Sequence, residues 1–347
     1  MDKRELLRKT GSLQQLASVR TLSFTEGRAQ TRAVEVVNGP LRFTALADKC
    51  LDVAELSYRG VNFSFLSKPG LQGRNQYDTN GNEALRSIMG GLFFTAGLEN
   101  ICAPCAIGGK DYPMHGRIRT TPAEHLCADA RWEKEEYVLE LRGEMREAEL
   151  FGENLVLRRS LRTVLGEKSF TLTDEIENQS FRDEPLMLLY HINIGYPLLD
   201  EGTRLYLPTR QVTPRDAVSA PHTGRWNVMD APKDNEPEYV FIHEPIPDEQ
   251  GRMSVCVVNE RLSLGLKIGW NTENLPFFME WKSTASGDYV LGLEPANSSV
   301  YGRPFHEERG DLHRLAPFAK EKNELSFTVL DGAEEIEAAV AAVRAHE

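Results

Sequence analysis

Three short stretches of this sequence collect side chains able to move protons. They are YPMHGRIRT, with His115, Arg117 and Arg119; LMLLYHINIGYPLL, with His191 and Asn193; and YVLGLEPAN, with Glu294. Imidazole and carboxylate are the usual general acids and bases near neutral pH. In an extended run, side chains two apart share a face, so His191 and Asn193 point one way while Tyr190, Ile192 and Ile194 point the other. Buried without partners, each polar group costs on the order of 1 to 3 kcal/mol, so that face meets water, a polar network or a ligand. Glu294 ends an apolar run where Pro295 stops the ladder, and Gly292 is expected to leave open space beside the carboxylate. His115, Arg117 and Arg119 fall on one parity of an expected strand, either a solvated edge or a ligand face.

Two histidines and a glutamate on separate strands fit two chemistries, a metal site of two histidines and a carboxylate or a metal-free acid/base pair. Spacing leaves both open, although the compact H-E-x-x-H pattern is absent and His306-Glu307-Glu308 has no P-C-x-x-C after it. Cys102-x-x-Cys105 lacks a second cysteine pair and a βαβ setting, so neither structural zinc nor thioredoxin-like redox chemistry follows from it. No G-x-G-x-x-G, Walker A or G-x-S-x-G motif is present.

Strands must position these groups, because the dominant period is two. RLSLGLKIGW places Leu262, Leu264, Leu266, Ile268 and Trp270 on one face, and FTLTDEIENQ does the same with Phe170, Leu172 and Ile176. Turn chemistry such as Asn38-Gly39-Pro40 and Asp331-Gly332 separates many such runs. Helices are expected only at residues 3 to 9, around NEALRSIM, and in the tail, where Ile336, Val340 and Val343 recur at helical spacing. With no repeat and no Pro/Gly/Ser linker, residues 1 to 347 read as one large antiparallel all-β sandwich with a few short helices.

Lysine and arginine number 40 against 52 acidic residues, a formal charge of −12, which opposes binding to nucleic acid or to an anionic membrane. The first 19 residues mix charge with apolar side chains, as neither a signal peptide nor a membrane span does. Five cysteines do not make a secreted disulfide framework, and the expected compartment is the cytoplasm.

Together the HGR, YHxNxGYPLL and GLEPAN segments resemble the aldose 1-epimerase (galactose mutarotase-like) superfamily, and more closely a domain-of-unknown-function branch of it. The likeness runs from about GGLFFTAGLEN to GLEPANSSVYGR. It implies a β-supersandwich with a sugar-binding cleft and a cofactor-free, metal-free interconversion of sugar anomers. It also implies Glu294 as general base, His191 as general acid and His115 as the residue that orients the ring. Arg117, Asn193, Trp281 and Lys282 are placed as sugar contacts by position and chemistry. Met114-His115-Gly116 stands where ordinary galactose mutarotases carry Asn-His, which leaves the sugar open, and Arg117, Arg119, Lys282 and Arg303 allow an acidic or phosphorylated one. The rival expectations are a non-catalytic carbohydrate-binding protein on this fold and a metal-dependent sugar isomerase or epimerase using His115, His191 and Glu294 as ligands.

Overall fold

The period-two runs become three main antiparallel sheets. The computed structural model describes residues 3–25, 30–73 and 81–345. The largest sheet orders its eight strands Glu124–Glu133, Glu136–Ala148, Asn154–Val164, Ser169–Asn178, Lys320–Asp331, Leu264–Asn271, Arg252–Asn259 and Arg204–Tyr206. The sheet that carries the histidines orders six: Thr209–Pro214, Tyr239–Pro245, Phe277–Ala285, Asp288–Ala296, Met187–Ile194 and Phe93–Leu98. Five strands from Ala17–Phe24 to Val61–Asn62 form the third.

Each sheet turns its apolar parity inward. Leu172, Leu266, Ile268 and Phe327 of the eight-stranded sheet share one core with Phe278, Tyr190, Ile192 and Leu293 of the six-stranded sheet and with Phe43 and Leu56 of the third. Two ring pairs bridge the larger sheets, Phe93 with Phe327 at 5.8 Å and Trp270 with Phe278 at 5.2 Å. Burial of each such side chain contributes about 1.5 to 3 kcal/mol. The apolar face of Met187–Ile194 is thereby committed to the core, and His191 and Asn193 project from the other side. The tail helix Ala333–Arg344 packs Ile336, Val340 and Val343 against Cys256, Val258 and Leu330, as its spacing predicts.

Three expectations change. Residues 113–120 are not a strand: His115 and Gly116 have φ of 59° and 68°, and a short 3-10 helix, Ile118–Thr120, follows. The helix expected around NEALRSIM is present, as the 3-10 helix Gly81–Arg86. Leu262 lies before the strand Leu264–Asn271 and is 39% exposed, since Ser263 takes a left-handed turn conformation. Pro295 does not end its strand, which runs to Ala296 and keeps pairing with Phe278 on one side. On the other side the ladder to Met187–Ile194 skips the positions opposite Pro295 and Glu294.

One polar network crosses all three sheets inside the core. Arg159, with a fully buried side chain, binds Asp174 through Nε and Nη2 at 2.8 and 2.7 Å, and Asp52 through Nη1 at 2.6 Å. Thr95 accepts from Arg159 Nη2 at 2.8 Å and donates to Asp52, and the Tyr190 hydroxyl donates to Asp174 at 2.8 Å.

Candidate active site

Register alone brings the main groups together. Pairing Ile192 with Leu293 and Leu189 with Ala296 sets His191 across from Glu294, while Phe94 is the partner of His191 on the other side and Met279 that of Glu294. The adjacent row runs Asn193, Gly292, Trp281 and Val240. From these two rows Phe94, His191 and Glu294, with Asn193, Trp281 and Val240, floor a cleft of about 570 Å³. Its walls include Leu85, Ile88, Cys102, Met114, His115, Arg215 and Glu238.

His191 Nε2 lies 3.1 Å from Glu294 Oε1, both side chains being more than nine-tenths buried. Burial raises the Glu294 carboxyl to about 8, with the charge of Glu238 adding to it and that of Arg215 opposing it. Burial also lowers His191 to about 4, against the opposing effect of Asn193. Both shifts penalise the charged forms and favour a carboxylic acid against a neutral imidazole. Moving that one proton across the contact produces the carboxylate and imidazolium of the expected base and acid. The pair therefore stores one transferable proton at neutral pH.

His115 reaches the same cleft from a turn. Its backbone N–H donates to the Cys102 carbonyl at 3.0 Å, and its own carbonyl accepts from Gly97 N–H at 3.1 Å. Gly116 is required there, because a Cβ would come within 2.0 Å of the Gly97 carbonyl oxygen. The Cys102 N–H donates to Nδ1 of His115 at 3.3 Å, which assigns the ring hydrogen to Nε2. Burial, with repulsion from His191 and Arg119, holds this imidazole well below its ordinary pKa. The ring centroids of His115 and His191 are 5.5 Å apart.

Asn193 lines the cleft with Nδ2 donating to the His191 carbonyl at 2.8 Å and with Oδ1 buried and without a hydrogen-bond partner among the described residues. The Trp281 and His191 rings meet at 5.4 Å with planes inclined by 75°, and Trp281 donates Nε1–H to Glu238 at 2.8 Å. The space beside Gly292 is occupied by neighbours: a Cβ would stand 3.0 Å from Trp281 Cβ and 3.2 Å from Glu294 Oε1.

The basic residues expected near the sugar lie elsewhere. Arg117 pairs with Glu99 at 2.5 Å and lines a separate surface depression with Lys110 and Glu147. Lys282, on the core parity of its strand, donates to the Arg225 and Val228 carbonyls at 2.8 and 2.6 Å. Arg119 is buried near Ser87, and Arg303 binds the Glu99 carbonyl and Glu307. The cleft's own cations, Lys68 and Arg215, are each matched by carboxylates, Asp288 at 2.6 Å and Asp216 at 2.9 Å. Local patterning gave no signal for Arg215, Glu238, Lys68 or Asp288, which enter from segments distant in sequence. Phe94 had one, its place in GGLFFTAGLEN on the parity opposite the core residue Phe93.

Among the described residues, no group of three His, Cys, Asp or Glu side chains converges to hold a metal ion. His191 Nε2 faces Glu294 and His115 Nδ1 is engaged by backbone, so the three expected ligands form a pair and a separate hydrogen-bonded ring. Cys102 and Cys105 are unpaired thiols, and burial pushes Cys102 far up from the range of reactive thiolates. No helix among the described residues is long and apolar enough to cross a membrane.

Solved structures share this architecture. A candidate aldose 1-epimerase from Klebsiella pneumoniae superposes with a TM-score of 0.90 at 22% identity, covering 100% of this chain and 91% of that one. A galactose mutarotase-like protein from Clostridium acetobutylicum gives 0.63 at 13% identity, over 91% and 99% of the two chains. A galactose 1-epimerase from Lactobacillus acidophilus gives 0.55 at 12%, over 91% and 100%. At these identities the likeness establishes the galactose mutarotase-like fold. No curated protein matches the sequence. The model of a domain of unknown function, DUF4432, matches residues 28–329, and the chain belongs to that family.

Proposed function

We propose that the protein is an aldose 1-epimerase that interconverts the anomers of a sugar bound in this cleft. The observation that supports the reading is the buried 3.1 Å contact between His191 and Glu294 on the cleft floor, an arrangement suited to passing one proton between a carboxyl and an imidazole. In the reaction Glu294, as carboxylate, takes the proton of the anomeric hydroxyl while the His191 imidazolium protonates the ring oxygen. The C1–O5 bond breaks and the anomeric oxygen becomes the aldehyde oxygen. Rotation about C1–C2 presents the other carbonyl face, and reclosure returns both protons. Neutral His115 offers its Nε2–H for a hydroxyl contact that fixes the ring, and Asn193, whose Nδ2 bonds the His191 carbonyl, steadies the strand beneath it. Trp281 supplies an apolar ring surface beside His191.

The sugar on this reading is neutral, since Arg117, Arg119, Lys282 and Arg303 are committed outside the cleft and its two cations are matched by carboxylates. The test is anomer exchange followed by NMR over a panel of neutral and acidic aldoses. Exchange above the spontaneous rate that falls by about 10² or more in Glu294→Gln supports the reading. Sugar binding unaffected by that substitution, without acceleration, overturns it in favour of a binding protein.

A further inference from the structure

The acid/base pair has a third neighbour in its row. Phe94, in the strand Phe93–Leu98, is the register partner of His191 and is 4% exposed. Its ring stacks on the His191 imidazole, with centroids 4.5 Å apart and planes inclined by 21°. The same ring meets His115 almost perpendicularly, at 5.4 Å and 84°. One face of His191 is thus covered by a phenyl ring, while His115 and Trp281 meet it at steep angles. Leucine or methionine would occupy most of that volume and keep an apolar surface against the imidazole. What the phenyl ring adds is the negative potential of its face, which attracts a cation.

A cation forms at this spot only when the shared proton moves from Glu294 to His191. The N–H bond made at His191 Nε2 replaces the O–H bond broken at Glu294, leaving a carboxylate beside an imidazolium. We propose that Phe94 is a positioning residue whose ring face favours the imidazolium form of His191, and so governs how readily the Glu294–His191 pair adopts its carboxylate–imidazolium state. The proposal rests on the acid/base reading above for its role in turnover. Its physical content, a bias on the protonation of His191, is measurable without any sugar.

The other groups that face His191 act on the same equilibrium and stay constant in the test. Glu294 comes from the strand Asp288–Ala296, Trp281 from Phe277–Ala285, Asn193 from its own strand, and His115 and Cys102 from the segment after Phe93–Leu98. Arg215 and Glu238 stand in the cleft wall, and Arg119 bears on His115.

The experiment compares Phe94→Leu and Phe94→Met with Phe94→Trp, all shown to be folded by a cooperative thermal transition. The His191 imidazole is titrated by ¹⁵N NMR in the full-length protein without sugar, its signal assigned by loss in His191→Asn. In the two aliphatic variants the midpoint is expected to fall by about half a unit or more, and in the tryptophan variant to stay near wild type. For a sugar that is turned over, kcat falls about threefold or more in the aliphatic variants while KM stays within about twofold, and tryptophan restores kcat. An unchanged midpoint in the aliphatic variants, or an equal shift in all three, overturns the proposal. A midpoint that moves as expected in a protein that exchanges no aldose overturns the epimerase reading and leaves the effect of Phe94 on His191 standing.

Discussion

Glu294 is held in its uncharged form against its ordinary preference and His191 is made harder to protonate, and the free energy for both comes from the fold. A carboxyl raised to about 8 binds its proton more tightly in the folded than in the unfolded chain. By linkage, its contribution to stability is fully present below the unfolded value near 4.3 and is progressively lost as pH rises through about 8. Glutamine cannot ionise, so Glu294→Gln should gain melting temperature over wild type as pH rises from about 5 to about 9, with little difference at the acid end. His191, lowered to about 4, works in the opposite sense: its contribution is present above about 6.5 and lost as pH falls through about 4. Melting curves of wild type, Glu294→Gln and His191→Asn across that range separate the two. A gap between Glu294→Gln and wild type that does not widen with pH refutes the buried, protonated carboxyl. At this scale the sequence was informative: period-two parity put His191 and Asn193 on one face, and an apolar run ending in glutamate marked Glu294. The protonation states were not legible, because they depend on burial by Phe94, Trp281 and the cleft walls.

The strand pairing of the six-stranded sheet turns those residues into a site. Gly292 lies between Asn193 and Trp281 in one cross-strand row, and its missing side chain is where the Trp281 indole and the Glu294 carboxylate sit. Gly292→Ala leaves the backbone unstrained but puts a methyl 3.0 to 3.2 Å from both groups. The expected outcome is a protein of nearly wild-type stability whose anomer exchange is about tenfold slower, through displacement of Trp281 and Glu294. Wild-type exchange in this variant sinks the assignment of those two side chains to the reaction. Gly116 is the contrasting case. Its φ of 68° and the 2.0 Å approach to the Gly97 carbonyl make Gly116→Ala destabilising as well as damaging to His115, and a lowered melting temperature checks this. Alternation of polar residues in MHGRIRT pointed to a strand, and tertiary contacts with Gly97, Asn100 and Cys102 impose a turn instead. Lys282 failed for a related reason: its parity, opposite to that of Trp281, sends it into the core beside two backbone carbonyls.

At the scale of the whole molecule, the sheets are joined by apolar packing and by the network centred on Arg159. The alternation Phe170, Leu172, Asp174, Ile176 already puts Asp174 on the buried face, a departure that an apolar core does not explain. Its partners could not be read from the sequence: Arg159 lies 15 residues away along the chain, and Asp52 a further 107 before that. Desolvation of three charged groups is offset only while each keeps its acceptors or donors. Asp174 accepts two bonds from Arg159 and one from Tyr190, so Asp174→Ala leaves a guanidinium and a phenol buried without them. Breaking such a buried pair costs on the order of 3 to 5 kcal/mol. Tyr190 precedes His191 in the same strand with its side chain on the opposite face, so the loss also reaches the cleft floor through the backbone. Denaturant unfolding should show a drop of about that size for Asp174→Ala, against about 0 to 1 kcal/mol for loss of the exposed Arg8–Glu5 pair. A change for Asp174→Ala as small as that for the surface pair would mean that the three sheets hold their mutual placement, and with it the register of Phe94, His191 and Glu294, by apolar packing alone.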